Sequence, residues 1–370
     1  MSLAQYHVDP HTGFVPSVPP LRRLPEPFAA WDALVPELPA RIRSRRLRGT
    51  LRAMPVLDAN TLTTDAERER GMLLLTHFAN AHVWGGDTPE LSIPPSVAVP
   101  LCALAAQLQR PPIAHYATTT LTNWQLIDPN EPVSVDNART QVQFLGGVDE
   151  DWFFIASMGV ELAGAPLLPV VAAAALQSRE ASDDELTASL TTFAEGMGAV
   201  HAALEAVRRW CDPATYYLRV RPFVTGWPAP GVVYEGVSDE PRRYIGGSAG
   251  QSALLQLFDA MLGVSHPASP AGAYLRSVRD YMPTAHRAFV EDIERDARVH
   301  ARAQQGSRAL QTAYNDAVQQ IVTFRDAHMR LAHDYIVTPS GAARDTMGTG
   351  GTALDTFLRG AQQSTGAARV

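Results

Sequence analysis

The chain is predicted to be mainly α-helical, with a large all-helical domain following a smaller, mostly helical N-terminal one. Three observations predict this. Four stretches carry strong 3.6-residue apolar periodicity. Strand signals are few, with "VVYEGV" at 232–237 the best of them. A glycine- and acid-rich break, "FLGGVDED" at 144–151, separates the two parts. The expected organisation is a small domain over 1–143, a linker over 144–151 and a large helical domain over 152–370.

Residues 1–27 are proline-rich and read as an extended arm on the surface. "RIRSRRLRGTLR" (41–52) spaces its arginines among Ile42, Leu47 and Leu51, which suits a helix with one wet face. The first long helix is expected at 66–84, where charge pairs give way to an apolar face. The next, at 183–210, opens on acids and closes on arginines, as the helix dipole favours. "SALLQLFDAMLGV" (252–264) is apolar nearly all round and so predicts a buried helix. The stretch from Ser307 to Val337 reads as one long helix. A mobile loop is expected over 338–352, around "GTGGT".

The 370 residues include 31 basic and 38 acidic side chains, a formal net charge of −7. That balance excludes a nucleic-acid partner, which needs an excess of positive charge to neutralise phosphates. It also excludes an anionic membrane surface. The longest apolar run, Met158 to Leu176, contains Glu161, Pro166 and Pro169, so it predicts a core segment rather than a membrane span. Every basic residue is arginine, which removes Schiff-base and P-loop lysine chemistry. Cys102 and Cys211 form no CxxC motif and are expected as buried free thiols in a reducing compartment. No secretory signal is legible, and the expected location is cytoplasmic.

Among candidate site residues, "FRDAHMRLAHDY" (324–335) comes first. On a helix His328 shares an apolar face with Ile321, Phe324, Leu331, Ala332 and Tyr335, whereas His333 lies well round from it. An inward histidine on such a face is either a satisfied core residue or a ligand. No second histidine at i+3 or i+4 supports zinc, but haem needs only one protein imidazole. Arg325, one turn earlier, requires an anion if buried: a carboxylate such as Asp259, or a haem propionate. "RYIGGSAGQS" (243–252) is a glycine-rich turn capped by Ser248 or Ser252, or a place where backbone approaches a flat ligand. "YYLRVRPFVTGW" (216–227) sets Arg219 and Arg221 among aromatics, and an inward arginine there could grip a carboxylate. "DWFFIASMGVEL" (151–162) places Phe153 and Phe154 beside Ser157, with core packing as the plain reading.

Together and in this order, these segments resemble the indoleamine 2,3-dioxygenase family. The resemblance begins at "YHVDPHTGFVP" (6–16) and runs through "HVWGG", "RPPIAHYA", "TNWQLIDPN", "WFFIASMGVEL" and "VRPFVTGW". It continues through "RYIGGSAGQS", "YMPTAHRAFVEDIE" and "FRDAHMRLAHDYIV" to "GTGGTALDTFL" at 348–358.

The resemblance implies a haem b enzyme, ferrous when active, that opens the indole ring of L-tryptophan with O2 to give N-formylkynurenine. It implies His328 as the axial ligand, Arg325 near a propionate, and Gly247, Ser248 and Ala249 over the open haem face. Tyr116, Phe153, Phe154 and Ser157 would wall the substrate pocket. Arg221 would bind the substrate carboxylate, with Arg221 and Ser157 the residues nearest the chemistry, and Thr349 would lie near the amino acid end. The family pattern has Phe at Tyr216 and usually Cys at Thr119, so these two positions bear on substrate preference. The rival readings are a haem oxygenase acting on a substituted tryptophan and a haem-binding sensor with little turnover. A monomer is favoured.

Overall fold

The structure, a computed structural model, describes residues 2–266, 270–341, 347–348 and 353–370. Some 65% of the chain is helical, so the mainly α expectation holds. The helices that build the site are α1 (Asp65–Trp84), α2 (Pro95–Leu108), α3 (Val148–Gly164), α4 (Leu167–Gln177) and α5 (Asp183–Glu205). They continue with α6 (Ala253–Leu262), α7 (Thr284–Asp296), α8 (Arg308–Ala332) and α9 (Leu354–Gly366). Helix α8 packs most extensively on α5, which also packs on α3; α9 lies along α8, α6 along α7, and α1 along α2. Three short strands form a small sheet: β1 (Ser92–Ile93) pairs in parallel with β2 (Val232–Tyr234), which pairs antiparallel with β3 (Ser238–Arg242). β2 is the expected strand.

Capping chemistry fixes where the long helices begin. Thr64 and Glu67 form a reciprocal capping box at the start of α1, and Ser182 and Glu185 do the same for α5. Ser307 caps α8 through the Leu310 amide. Pro95 and Pro213 occupy first-turn positions, where a missing N–H costs nothing.

The stretch 41–52 is not one helix. It divides into Leu38–Arg43 and Leu47–Ala53, separated at Arg45 with φ of 60°. Leu38, Ile42, Leu47 and Leu51 are all buried. The five-residue step from Ile42 to Leu47 departs from helical period, and the left-handed turn brings both pairs back to the core. The N-terminal arm is less superficial than expected. Tyr6, Val8, Phe14 and Val15 are buried, and Tyr6 stacks on Phe289 with ring centroids 4.6 Å apart.

The expected linker over 144–151 is a closed turn followed by helix. Glu150 accepts the amides of Phe144, Leu145 and Gly146, and α3 starts at Val148. Phe144 lies stacked between His77 and Phe223, at 4.5 and 4.9 Å. The hydrophobic core therefore runs through this junction from Tyr6 to Ala368. No single helix among the described residues is long and apolar enough to cross a membrane.

The stretch from Ser307 to Val337 is not a uniform helix. The α-helical hydrogen bonding ends at Ala332 and a π-helical turn takes over at His333–Val337. Two further π-helical turns occur among the described residues, at Ala117–Leu121 and Tyr216–Val220. Of the expected loop at 338–352, residues 338–340 form a helical turn and Met347 pairs with Ala353. Positions 342–346 and 349–352 lie outside the described residues.

Candidate haem and substrate site

Every π-helical turn delivers residues to one cavity. The first carries Thr119 just after Tyr116, the second carries Tyr216, and the third carries Tyr335 and Ile336. A π turn holds one more residue than the α-helix would, which redirects side chains locally, and such turns concentrate at functional sites.

The cavity has a volume of about 230 Å³. It brings together ten of the residues singled out in the sequence: Tyr116, Thr119, Phe153, Phe154, Ser157, Tyr216, Gly247, Ser248, Ala249 and His328. The face read for α8 is also the face that meets it, through Phe324, His328, Leu331 and Ala332, with Tyr335 following in the π turn.

Burial, and then the neighbouring Arg325 charge, pushes the His328 imidazole down to about 4. Its ring is therefore neutral near pH 7, the state in which a nitrogen lone pair can bind a metal. His328 forms no hydrogen bond with any described residue, and it stays half-buried because its edge faces the cavity. His333 has 64% of its side chain exposed, 3.7 Å from Asp334, as expected for the outward histidine.

The wall opposite in sequence is the 246–252 turn. A Cβ on Gly246 would lie 2.2 Å from the Val224 carbonyl oxygen, so only glycine permits that close approach. Gly247 differs: its φ is ordinary, and a Cβ there would meet protein no nearer than 3.7 Å. That position is in ordinary contact with Val224, Ala114 and His115, and Gly247, Ser248 and Ala249 together border the cavity with backbone and small side chains. Ser248 accepts the Gly250 amide and Ser252 the Leu254 amide, so both expected caps form. Gln251 ties this turn to the pocket wall by accepting the Tyr116 amide at 2.9 Å and donating to the Gly246 carbonyl at 2.9 Å.

The aromatic wall is interlocked. Phe153 packs on Tyr216 at 4.5 Å and on Phe154 at 5.4 Å, and Tyr216 meets Tyr335 edge-on at 5.8 Å. The Ser157 hydroxyl donates to the Phe153 carbonyl at 2.8 Å, so what it can offer a ligand is an acceptor.

Sequence reasoning missed Glu161, Ser252, Tyr274 and Phe357 in this wall. Glu161 is fully buried; its Oε1 accepts from the Tyr116 hydroxyl at 2.8 Å and from the Ser252 hydroxyl at 2.6 Å. Burial raises its carboxyl above the ordinary range, against the lowering effect of those two donors. The available signal was a lone carboxylate in the apolar run "IASMGVELAG", two turns after Phe153 on one helical face.

Two expected site residues are engaged elsewhere. Arg325 is buried and ion-paired through Nη2 to Asp259 at 2.5 Å, and Asp259 also contacts His266 Nε2 at 2.8 Å. The carboxylate alternative weighed for Arg325 is thus the pair that forms. Although burial opposes it, the Arg325 and His266 contacts hold Asp259 below the usual carboxylate range. Arg221 does not line the cavity. Its Nη2 donates to the Met347 carbonyl at 2.5 Å and its guanidinium lies 5.4 Å from the Tyr217 ring centroid. Arg219 is exposed, so Arg221 is the inward member of the two. Thr349 lies outside the described residues. His115 is buried near Tyr281 and does not line the cavity. Cys211 is buried, whereas Cys102 is only partly so.

A family model for indoleamine 2,3-dioxygenase matches residues 2–368. The chain belongs to the indoleamine 2,3-dioxygenase family. Indoleamine 2,3-dioxygenase 1 of Rattus norvegicus is 31% identical, with 98% of this chain and 94% of the relative covered. An indoleamine 2,3-dioxygenase of Aspergillus nanangensis is 34% identical, covering 99% and 96%. A protein of Fusarium equiseti named 6-hydroxytryptophan 2,3-dioxygenase is 30% identical, covering 99% and 93%. Membership in the indoleamine 2,3-dioxygenase family gives the cavity its context: a neutral imidazole facing it, a border of small residues at Gly247, Ser248 and Ala249 and an aromatic wall fit the haem that the family implies.

Proposed function

We propose that the chain is a haem-dependent dioxygenase that inserts both atoms of O2 across the indole C2–C3 bond of L-tryptophan, giving N-formylkynurenine. The observation that carries this is His328, a single neutral imidazole facing an apolar cavity from the C-terminal end of α8. His328 would hold the haem, with Gly247, Ser248 and Ala249 leaving room along it. When bound, haem supplies the electron chemistry that lets O2 react with a closed-shell indole.

The protein's part is binding, orientation and exclusion of water. Phe153, Phe154 and Tyr216 hold the indole against apolar surface. Holding it in one pose replaces a bimolecular encounter by a positioned one. Arg221 would take the substrate carboxylate as a two-pronged clamp, and Thr349 would stand near the amino acid end. In the described conformation the Met347 carbonyl takes one Nη2 donor of Arg221, while Nε has no acceptor and stands available to a carboxylate. Arg325 would support haem binding through its place one turn from His328, with Asp259 fixing it. The two free cysteines suit a reducing, cytoplasmic setting, and the chain would act there as a monomer.

The test is anaerobic reduction of the haem-loaded protein followed by O2 and L-tryptophan, with the product identified by mass. The expected product carries two added oxygen atoms. Haem-loaded protein that leaves L-tryptophan unchanged overturns the proposal. Running 6-hydroxytryptophan alongside separates L-tryptophan from a ring-substituted substrate, for which Thr119 and the Glu161 hydroxyl network are the deciding residues.

A further inference from the structure

Among the described residues, four tyrosines line the catalytic cavity: Tyr116, Tyr216, Tyr274 and Tyr335. Three have their hydroxyls committed to protein. Tyr116 donates to Glu161 at 2.8 Å, Tyr274 to the Ser248 hydroxyl at 3.1 Å and Tyr335 to the Cys211 carbonyl at 2.7 Å. Tyr216 is just as buried, at 5% exposed, yet its hydroxyl makes no hydrogen bond to any described residue. Nor is that oxygen shut in, as the idle ring nitrogens of His115 are; it stays open to the cavity that Tyr216 lines. A buried hydroxyl without a partner is costly and calls for one.

Burial pushes the Tyr216 hydroxyl up to about 12, with the Arg221 charge opposing the rise, so near pH 7 it keeps its proton and is a donor. The Arg221 amide donates to the Tyr216 carbonyl and closes the π turn, so both side chains leave one turn of chain. An i→i+5 turn brings residue i+5 back over residue i, where an α-helix would carry it well round the axis. A phenol proton beside a guanidinium attracts an anion and repels an ammonium. The ring is fixed by Phe153 at 4.5 Å and Tyr335 at 5.8 Å, so the hydroxyl is in position before anything binds. We infer that the Tyr216 hydroxyl is a specificity-determining group of the cavity: it donates to the substrate carboxylate beside Arg221 and selects indoles that carry one. This rests on the dioxygenase function proposed above, and it adds a neutral donor to a clamp otherwise made by Arg221.

Tyr216→Phe removes the hydroxyl and keeps the ring, so the packing on Phe153 and Tyr335 survives. The haem-loaded ferrous form of both chains, without O2, is titrated with L-tryptophan and with tryptamine, which lacks only the carboxylate, and binding is read from the haem absorbance. L-tryptophan binding should weaken roughly tenfold in Tyr216→Phe, the size of one hydrogen bond to a charged group, while tryptamine binding changes little. In steady state the loss should fall on KM rather than kcat, because the carboxylate contact is the same before and during ring opening. An unchanged affinity for L-tryptophan overturns the inference. So does a loss on tryptamine as large as that on L-tryptophan, which makes Tyr216 a packing residue only. Titration with 6-hydroxytryptophan supplies the third arm: a larger loss there than on L-tryptophan moves the hydroxyl's partner to the indole ring and likewise overturns it. A haem-loaded parent chain that gives no response to L-tryptophan removes the proposed function, and this inference with it.

Discussion

The Tyr116 hydroxyl donates to Glu161 at 2.8 Å inside the wall of the catalytic cavity, and the same carboxyl oxygen takes the Ser252 hydroxyl at 2.6 Å. One carboxyl thereby joins α3, the first π turn and the start of α6. Glu161→Leu strands two buried hydroxyls, each costing about 1–3 kcal/mol. Glu161→Gln keeps an acceptor oxygen and should be milder. Urea unfolding of both variants, with Tyr116→Phe as the partner in a double-mutant cycle, measures the coupling. Strict additivity of Tyr116→Phe and Glu161→Leu contradicts a working hydrogen bond.

Arg221→Ala should retain haem and lose turnover, with kcat/KM falling by about 2–4 kcal/mol in transition-state stabilisation. The haem absorbance spectrum and steady-state rates on L-tryptophan are the two measurements. Normal turnover by this variant removes the carboxylate clamp.

His328→Ala removes the imidazole and should abolish the Soret band after haem addition. The cavity side of His328 makes no hydrogen bond to the described residues, so the haem-free variant should melt close to the haem-free parent. Retention of a stoichiometric Soret band assigns the iron to another ligand.

Arg325→Met leaves Asp259 buried beside His266 without its strongest partner. Breaking such a pair by removing one member costs about 3–5 kcal/mol. Chemical denaturation of the haem-free protein isolates this from cofactor loss. An unchanged midpoint means that Asp259 is neutralised by other means.

His77, His82, His286 and His328 are all pushed down by burial, to about 4, 4, 3 and 4. The unfolded chain binds protons at these positions near the ordinary histidine value, while the folded chain does not. Stability is therefore intact above about pH 6.5 and falls as pH drops below it, by roughly 1.4 kcal/mol per pH unit for each proton taken up on unfolding. Urea midpoints of the haem-free protein between pH 6.5 and 5, above the main carboxylate range, should decline steeply. A flat profile in that window contradicts the neutral buried imidazoles.

Much of this was legible because local chemistry and global packing agree. Ser248 and Ser252 cap their turns as read, by side-chain geometry that involves only near neighbours. The apolar face around His328 was readable because a regular helix fixes angular position. The places that resisted reading are where regularity breaks. Arg45 resets the phase between two short helices, and the three π turns shift every later side chain by a fraction of a turn. Glu161 was passed over as an obstacle to a membrane span, since its two partners arrive from positions 45 residues before it and 91 after. The direction of Arg221 depends on Met347, 126 residues away, which no local pattern reports.

Each π-helical turn keeps one residue more than the surrounding α geometry would hold. Excising one residue from Ala117–Leu121, Tyr216–Val220 or His333–Val337 would let the backbone relax into ordinary helix while swinging Tyr116, Tyr216 or Tyr335 through about a quarter-turn relative to the rest of the wall. Amide deuteration should find these three short segments opening ahead of the long α-helices, so the enclosure gives way first along its own lining.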